Sequence, residues 1–332
     1  MSKKILLIYT GGTIGMIRDS LKKNLIPFTL HGLLSEIPEL KSDDVLIDYK
    51  SIKNPIDSSN MQKTVWVEIA EIIEKNYEEY NGFVILHGTD TMSYTASALS
   101  FMLENINKAV ILTGSQIPIG IRRTDAKENL ITAIEIASSE KINEVCIYFE
   151  NELYRGNRTV KINTEDFEAF KSPNYPVLAE VGVKIKYNKS LLKKNNKTFR
   201  VYKKLSDDVA VLKLFPGIKI DLIEKILKNS KGIVIESFGA GNASTNNQLV
   251  EVFEKMIEEK KILINVTQCL HGNAIIGEYA SSAPFQNKKI ICGKDITTEA
   301  AITKLMFLIG ENKSNKKIRS QLKKDLRGEM TY

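Results

Sequence analysis

The apolar positions of this chain fall into two kinds of run. Short unbroken runs, "KILLIYT" from Lys4, "DVLIDYK", "GFVILHG", "KAVILTG" and "NEVCIYF", alternate with longer ones such as "MQKTVWVEIAEIIEKNYEEY", "TMSYTASALSFMLENI" and "TDAKENLITAIEIASS". In the longer runs apolar residues recur every three or four positions. A run that does not alternate is buried on both faces, and a helical period marks the elements that cover it, so the pattern predicts a mostly parallel sheet between helices. After a lysine- and asparagine-rich stretch the pattern resumes: "VAVLKLF", "GIVIESF" and "KILINVT" are predicted strands, with helices at about 218–229, 246–259, 298–309 and 314–325. The predicted fold class is α/β in two domains. A larger N-terminal α/β domain spans 1–187, a linker 188–207, and a smaller C-terminal α/β domain 208–332. A chain of 332 residues exceeds what one core usually serves, which agrees with two.

Composition removes several classes of function. No run approaches the ~20 apolar residues of a membrane span. Two lysines before a short apolar run imitate a secretion signal, but the run from Ile5 to Tyr9 is brief and no small-residue cleavage site follows it. The cytoplasm is therefore the expected compartment, with no membrane partner. Cys146, Cys269 and Cys292 have no paired spacing, and His31, His87 and His271 are scattered, so neither a disulfide framework nor a metal site is expected, and no cofactor. The net charge of +7 sits largely in 183–204 and 312–328, which lack the aromatic interleaving and groove-reading pattern of nucleic-acid binders. We read the first as a solvated linker and the second as the polar face of a terminal helix, with no nucleic-acid partner.

In open α/β sheets ligands bind beyond the carboxyl ends of the strands. Three predicted strands end there in glycine and hydroxyl groups: "TGGTIG" (10–15), "HGTDT" (87–91) and "TGSQIP" (113–118). The spacing of Gly11, Gly12 and Gly15 does not fit a dinucleotide loop, and no Lys-Ser/Thr follows for a nucleoside triphosphate. Thr13 is then either the cap of a tight turn or a hydroxyl brought to a cleft. Thr89 and Asp90 suit a helix cap or a reacting centre, and His87 suits a hydrogen-bonded structural histidine better than a catalyst. No G-x-S-x-G elbow supports a serine relay. A threonine becomes a nucleophile when a base takes its proton, and Lys161 in "RGNRTVKI" is a candidate shuttle beside a carboxylate.

Together "TGGTIG", "DSS" at 57–59, "HGTDTMSYTASALSFML", "TGSQIP", "RGNRTVK", "TQC" and the final "LRGEMT" resemble the bacterial type I, cytosolic L-asparaginases of the asparaginase and glutaminase superfamily, over residues 4–330. The resemblance implies two α/β domains and an intimate pair of subunits with the active site near their junction, as a homodimer or homotetramer. It implies hydrolysis of L-asparagine to L-aspartate and ammonia through a β-aspartyl ester on a threonine nucleophile, Thr13. Thr89, Asp90 and Lys161 match the second threonine with its aspartate and lysine, and Asp57, Ser58 and Ser59 match the loop that holds the amino-acid end of the substrate. On that reading the glycines of the first loop let its backbone move over the cleft and approach the substrate.

Two positions depart from the family. Many relatives place a tyrosine in the flexible first loop, where Leu25 of "KKNLIPF" stands here without a hydroxyl, and Tyr9 on the strand is no substitute. Some type I enzymes bind a second asparagine through an arginine on a strand of the second domain and the cysteine of "TQC". Here those positions are Glu236 and Cys269, and a carboxylate at the arginine's place repels an effector carboxylate, so the effector site is expected to be vestigial and Cys269 a small buried residue. Three alternatives stand beside this reading. One is an ammonia-releasing amidase subunit of a transfer-RNA-dependent amidotransferase, a class that usually carries an added N-terminal domain, whereas this sequence starts at the first strand. A second is a glutaminase-leaning amidohydrolase, since one methylene discriminates by only about 1–3 kcal/mol. The third is a nucleotide- or anion-binding module.

Overall fold

The computed structural model describes residues 2–12, 14, 16–18, 25–27, 37–40, 44–275, 285 and 289–331. The chain forms two units, Met1–Lys203 and Lys204–Tyr332. In the first unit the main strands are β1 (Lys3–Gly11), β2 (Val45–Ile56), β3 (Gly82–Leu86), β4 (Ala109–Thr113), β5 (Val145–Phe149), β6 (Glu152–Arg155), β7 (Ala179–Val181) and β8 (Ile185–Tyr187). They form one eight-stranded sheet in the order β8-β7-β6-β5-β4-β3-β1-β2. From β2 to β5 every pairing is parallel, and from β5 to β8 every pairing is antiparallel. Every residue of β3, β4 and β5 is buried, which is why their runs carry no alternation. The edge strand β2 is mostly exposed.

Helices α1 (Lys63–Lys75), α2 (Met92–Met102) and α3 (Ala126–Ser138) cover the sheet. Two of them stop earlier than their apolar periods suggest. At the end of α1, Asn76 uses its side chain twice, donating to Ile72 O at 2.6 Å and accepting from Lys50 Nζ at 2.7 Å, and Tyr77 leaves the helix to stack on Phe199 at 3.9 Å. After α2, Leu103 and Glu104 pair as a short strand with Val201 and Arg200. Asn195 donates to Ile106 O at 2.6 Å and Asn143 O at 3.2 Å. The part of the 188–207 stretch that reaches Lys203 is thus bonded into the first unit, by single residues that its lysine-rich composition conceals.

The second unit is smaller and its sheet is wholly parallel. Strands β9 (Val209–Lys213), β10 (Gly232–Ser237), β11 (Ile262–Thr267) and β12 (Ile290–Cys292) lie in that order, with α4 (Ile220–Lys228), α5 (Asn247–Glu258), α6 (Thr298–Gly310) and α7 (Asn315–Leu322). Ile223 and Leu227, and Leu249, Phe253 and Ile257, spaced four apart within each helix, turn the faces of α4 and α5 onto Ile233 and Ile235 of β10. At the end of this unit an ion pair, Lys304 of α6 with Glu329, is fully buried. Among the described residues no helix is long and apolar enough to cross a membrane.

Candidate active site

The carboxyl ends of β1 and β3 approach so closely that glycine is required between them. Gly11 and Gly12 hold φ of +106° and +85°, where L side chains are strained. A Cβ on Gly11 would lie 2.1 Å from Ile56 O, and one on Gly12 would lie 2.4 Å from Gly88 N. One on Gly88 would lie 2.5 Å from Ser58 Oγ. Backbone at 11–12 therefore meets backbone at 56 and at 87–88, and Gly88 in turn lies against the Ser58 side chain. Thr13, between Gly12 and Ile14, lies outside the described residues. Leu25 opens a short strand, Leu25–Pro27, paired antiparallel with Met16–Arg18. Tyr9 is buried on β1, its phenol pushed up by burial.

Three of the expected residues come together at the end of β3. Lys161 Nζ donates to Thr89 Oγ1 at 2.8 Å and to Asp90 Oδ1 at 2.7 Å. Thr89 is 8% exposed, whereas the Asp90 side chain is 61% exposed and so open to a ligand. Lys161 reaches this point from a two-residue strand, Val160–Lys161, which follows the buried turn Gly156–Arg158. That turn lies on α2, where a Cβ on Gly156 would be 3.0 Å from Ala96 Cβ. Arg158 is 2% exposed with its guanidinium over the Tyr175 ring, 4.9 Å from the centroid. The "DSS" segment forms a 3₁₀ turn, Ser58–Asn60, capped by Asp57, whose Oδ1 accepts from Ser59 N and Ser59 Oγ, both at 2.8 Å. These two bonds hold the Asp57 carboxyl below its ordinary range. Ser58 is buried, while Asp57 and Ser59 are exposed.

His87 is fully buried. Gly88 O, which only accepts, lies 2.6 Å from Nδ1, so Nδ1 carries the proton and Nε2 accepts from Thr95 Oγ1 at 2.8 Å. Thr95 Oγ1 in turn accepts from Trp66 Nε1 at 2.9 Å. Burial pushes the imidazole down to about 4, and with both nitrogens occupied the ring is a structural group.

One neighbour escaped sequence reasoning. Gln116 Oε1 accepts from Thr89 Oγ1 at 3.3 Å, and Nε2 donates to Asp166 O at 3.1 Å. The buried Asp125 carboxylate accepts from Gln116 N at 2.9 Å and Ile117 N at 3.0 Å, which sets the loop after β4. Gln116 lies within "TGSQIP", so the motif marked the loop without marking the residue.

Glu236 and Cys269 belong to the second unit. Glu236 Oε1 accepts from Thr298 Oγ1 at 2.8 Å, and Lys213 Nζ is 3.9 Å from Oε2. Nearby Glu299 is pushed up to about 7, first by burial and further by the charge of Glu236. Contrary to expectation, Cys269 is exposed. It lies two residues past the end of β11, where Cys269 N donates to Thr267 Oγ1 at 3.0 Å and the chain has left the core, with Leu270 also exposed. Among the described residues no group of three or more His, Cys, Asp or Glu is placed to hold a metal ion.

The family described as "Asparaginase, N-terminal" matches residues 4–193, and "Glutaminase/Asparaginase C-terminal domain" matches 208–322. L-asparaginase 1 of Escherichia coli (strain K12) is 40% identical over 337 residues, covering 99% of this chain and 98% of its own. The 60 kDa lysophospholipase of Mus musculus is 41% identical over 356 residues, covering 99% of this chain, which spans only 63% of that protein's length. The crystal structure of L-asparaginase I from Vibrio cholerae O1 biovar eltor str. N16961 superposes with a TM-score of 0.92 at 38% identity, covering 100% of both chains.

Proposed function

The chain belongs to the asparaginase family, and we propose that it hydrolyses L-asparagine to L-aspartate and ammonia, with Thr13 as nucleophile and Lys161, Thr89 and Asp90 as its partners. The observation that carries the assignment is the position of Lys161 Nζ, within hydrogen-bond reach of both Thr89 and Asp90 at the mouth of a parallel sheet. Asp90, charged and exposed, receives the substrate ammonium. Asp57, Ser58 and Ser59 hold the amino-acid end, which turns the side-chain amide toward Thr13. Attack of the Thr13 hydroxyl on the amide carbon gives a tetrahedral oxyanion, which backbone N–H groups at the start of α2 stabilise. Ammonia leaves as the β-aspartyl ester forms, and water activated by Thr89 and Lys161 hydrolyses the ester.

The protein works in this reading in the cytoplasm, as a homodimer or homotetramer, in asparagine catabolism. Glu236 leaves no clamp for an effector carboxylate in the second unit. The test is the initial rate of ammonia release by the purified protein over a wide range of L-asparagine, beside L-glutamine and a Thr13→Ala variant. Hyperbolic release from L-asparagine that disappears in the variant, while L-aspartate still binds, is the expected result. No release from L-asparagine refutes the hydrolase assignment, undiminished release by the variant refutes Thr13, and a sigmoid curve refutes the loss of the effector site.

A further inference from the structure

At the start of α2 the hydroxyl best placed to cap the helix is used elsewhere. Thr91 occupies the N-cap position of α2, yet its side chain makes no capping bond. A threonine there ordinarily accepts from one of the first free N–H groups, a bond whose loss costs about 1 kcal/mol. Instead Thr91 Oγ1 donates to Ser58 O at 2.7 Å, across a separation of 33 residues. Ser58 O also accepts from Met61 N at 3.1 Å, the bond that closes the 3₁₀ turn, so both of its acceptor sites are used.

The partner of this bond is the buried residue of an otherwise exposed turn. Asp57, Ser59 and Asn60 are exposed, and Asp57 spends Oδ1 within the turn, on Ser59. On the other side, Thr91 is two residues from Thr89 and adjacent to Asp90, in the same 3₁₀ turn, Thr89–Thr91. Gly88 packs against the Ser58 side chain with no room for a Cβ between them, but van der Waals contact leaves sliding free; a directed hydrogen bond does not.

We propose that Thr91 is a positioning residue, whose hydroxyl sets the 57–60 turn against Thr89 and Asp90 and so fixes the distance between the two ends of the substrate's amino-acid group. The inference rests on the substrate assignment above. Ammonium and α-carboxylate are joined through one carbon, so the two turns must keep one separation for both charges to be met. Loss of the tie weakens ground-state binding while leaving the nucleophile and Lys161 in place.

The experiment compares Thr91→Val, which keeps the shape and lacks a donor, with Thr91→Ser, which restores the donor. With L-asparagine as substrate, Thr91→Val is expected to raise KM about 5- to 10-fold with kcat within about twofold, and Thr91→Ser to return KM to within about twofold of the parent. Calorimetric Kd for L-aspartate should move with KM. A purely structural role would lower the unfolding midpoint and leave KM and kcat alone, and that result overturns the proposal. So does a Thr91→Ser variant that behaves like Thr91→Val, or a fall confined to kcat. Parent protein that releases no ammonia and binds no L-aspartate instead sinks the substrate assignment, and the positioning role with it.

Discussion

Replacing Lys304 by methionine removes one charge from a pair that solvent does not reach. Lys304 and Glu329 are both 0% exposed, with Nζ 2.5 Å from Oε1. Nζ also donates to Lys324 O at 2.6 Å and Leu322 O at 3.3 Å, and Glu329 accepts from Leu326 N at 3.0 Å and Arg327 N at 2.6 Å. Methionine keeps the apolar stem and gives up every donor, which leaves a buried carboxylate without its counter-charge. Breaking such a pair costs about 3–5 kcal/mol, against a total stability of about 5–15 kcal/mol for a typical protein. For 332 residues unfolding as one cooperative unit the expected loss in midpoint temperature is roughly 4–7 °C. Thermal unfolding of the full chain, followed by circular dichroism at pH 7, measures it, and urea unfolding gives the loss in free energy. Lys304→Met combined with Glu329→Gln should recover part of the loss, because a neutral amide needs no counter-charge and still accepts from the two backbone N–H groups. Burial pushes the Glu329 carboxyl up, but the Lys304 charge and the hydrogen bonds outweigh this and hold it at about 2. The folded value lies below the ordinary one, so this stabilisation is complete above about 4.5 and is lost as pH falls toward 2. A Lys304→Met loss under about 1 kcal/mol, or a double variant no more stable than Lys304→Met alone, would refute the reasoning.

Two further outcomes are expected. Lys161→Met should lower kcat by about 10²- to 10⁴-fold with little change in unfolding midpoint, whereas Arg158→Ala, which empties a buried site under Tyr175, should lower the midpoint first; equal effects on turnover and stability in both variants would contradict the catalytic assignment. His87, pushed down to about 4 from 6.5, binds no proton in the folded state over a range where the unfolded chain does. Stability should therefore fall by about 3 kcal/mol as pH drops from 6.5 toward 4, and His87→Asn should flatten that part of the curve; an unchanged slope in the variant would show that other groups cause it.

Much of the molecule was legible before its structure. The unbroken runs of β3, β4 and β5 can only be strands buried on two faces, and the helical periods between them required a covered parallel sheet. The motifs likewise marked the loops at the strand ends, because glycine and hydroxyl groups there have few purely structural uses in combination. Where helices stop was less visible, since Asn76 and Leu103 end α1 and α2 through partners distant in sequence, Lys50 and Val201. The same reason hid Gln116, whose side chain acquires meaning only when the loop after β4 is laid beside Thr89. Cys269 was read as buried because cysteine usually is, but exposure depends on where the chain turns after β11. Nothing near Lys304 in the sequence shows that Glu329, 25 residues on, folds against it. Local periodicity and turn chemistry are written in neighbouring residues, so the sequence alone determined the two α/β domains and marked the glycine- and hydroxyl-rich loops at the strand ends. Which carboxylate meets which lysine, and which hydroxyl ties two loops together, depends on pairs separated by tens of residues, and only the tertiary structure decided those.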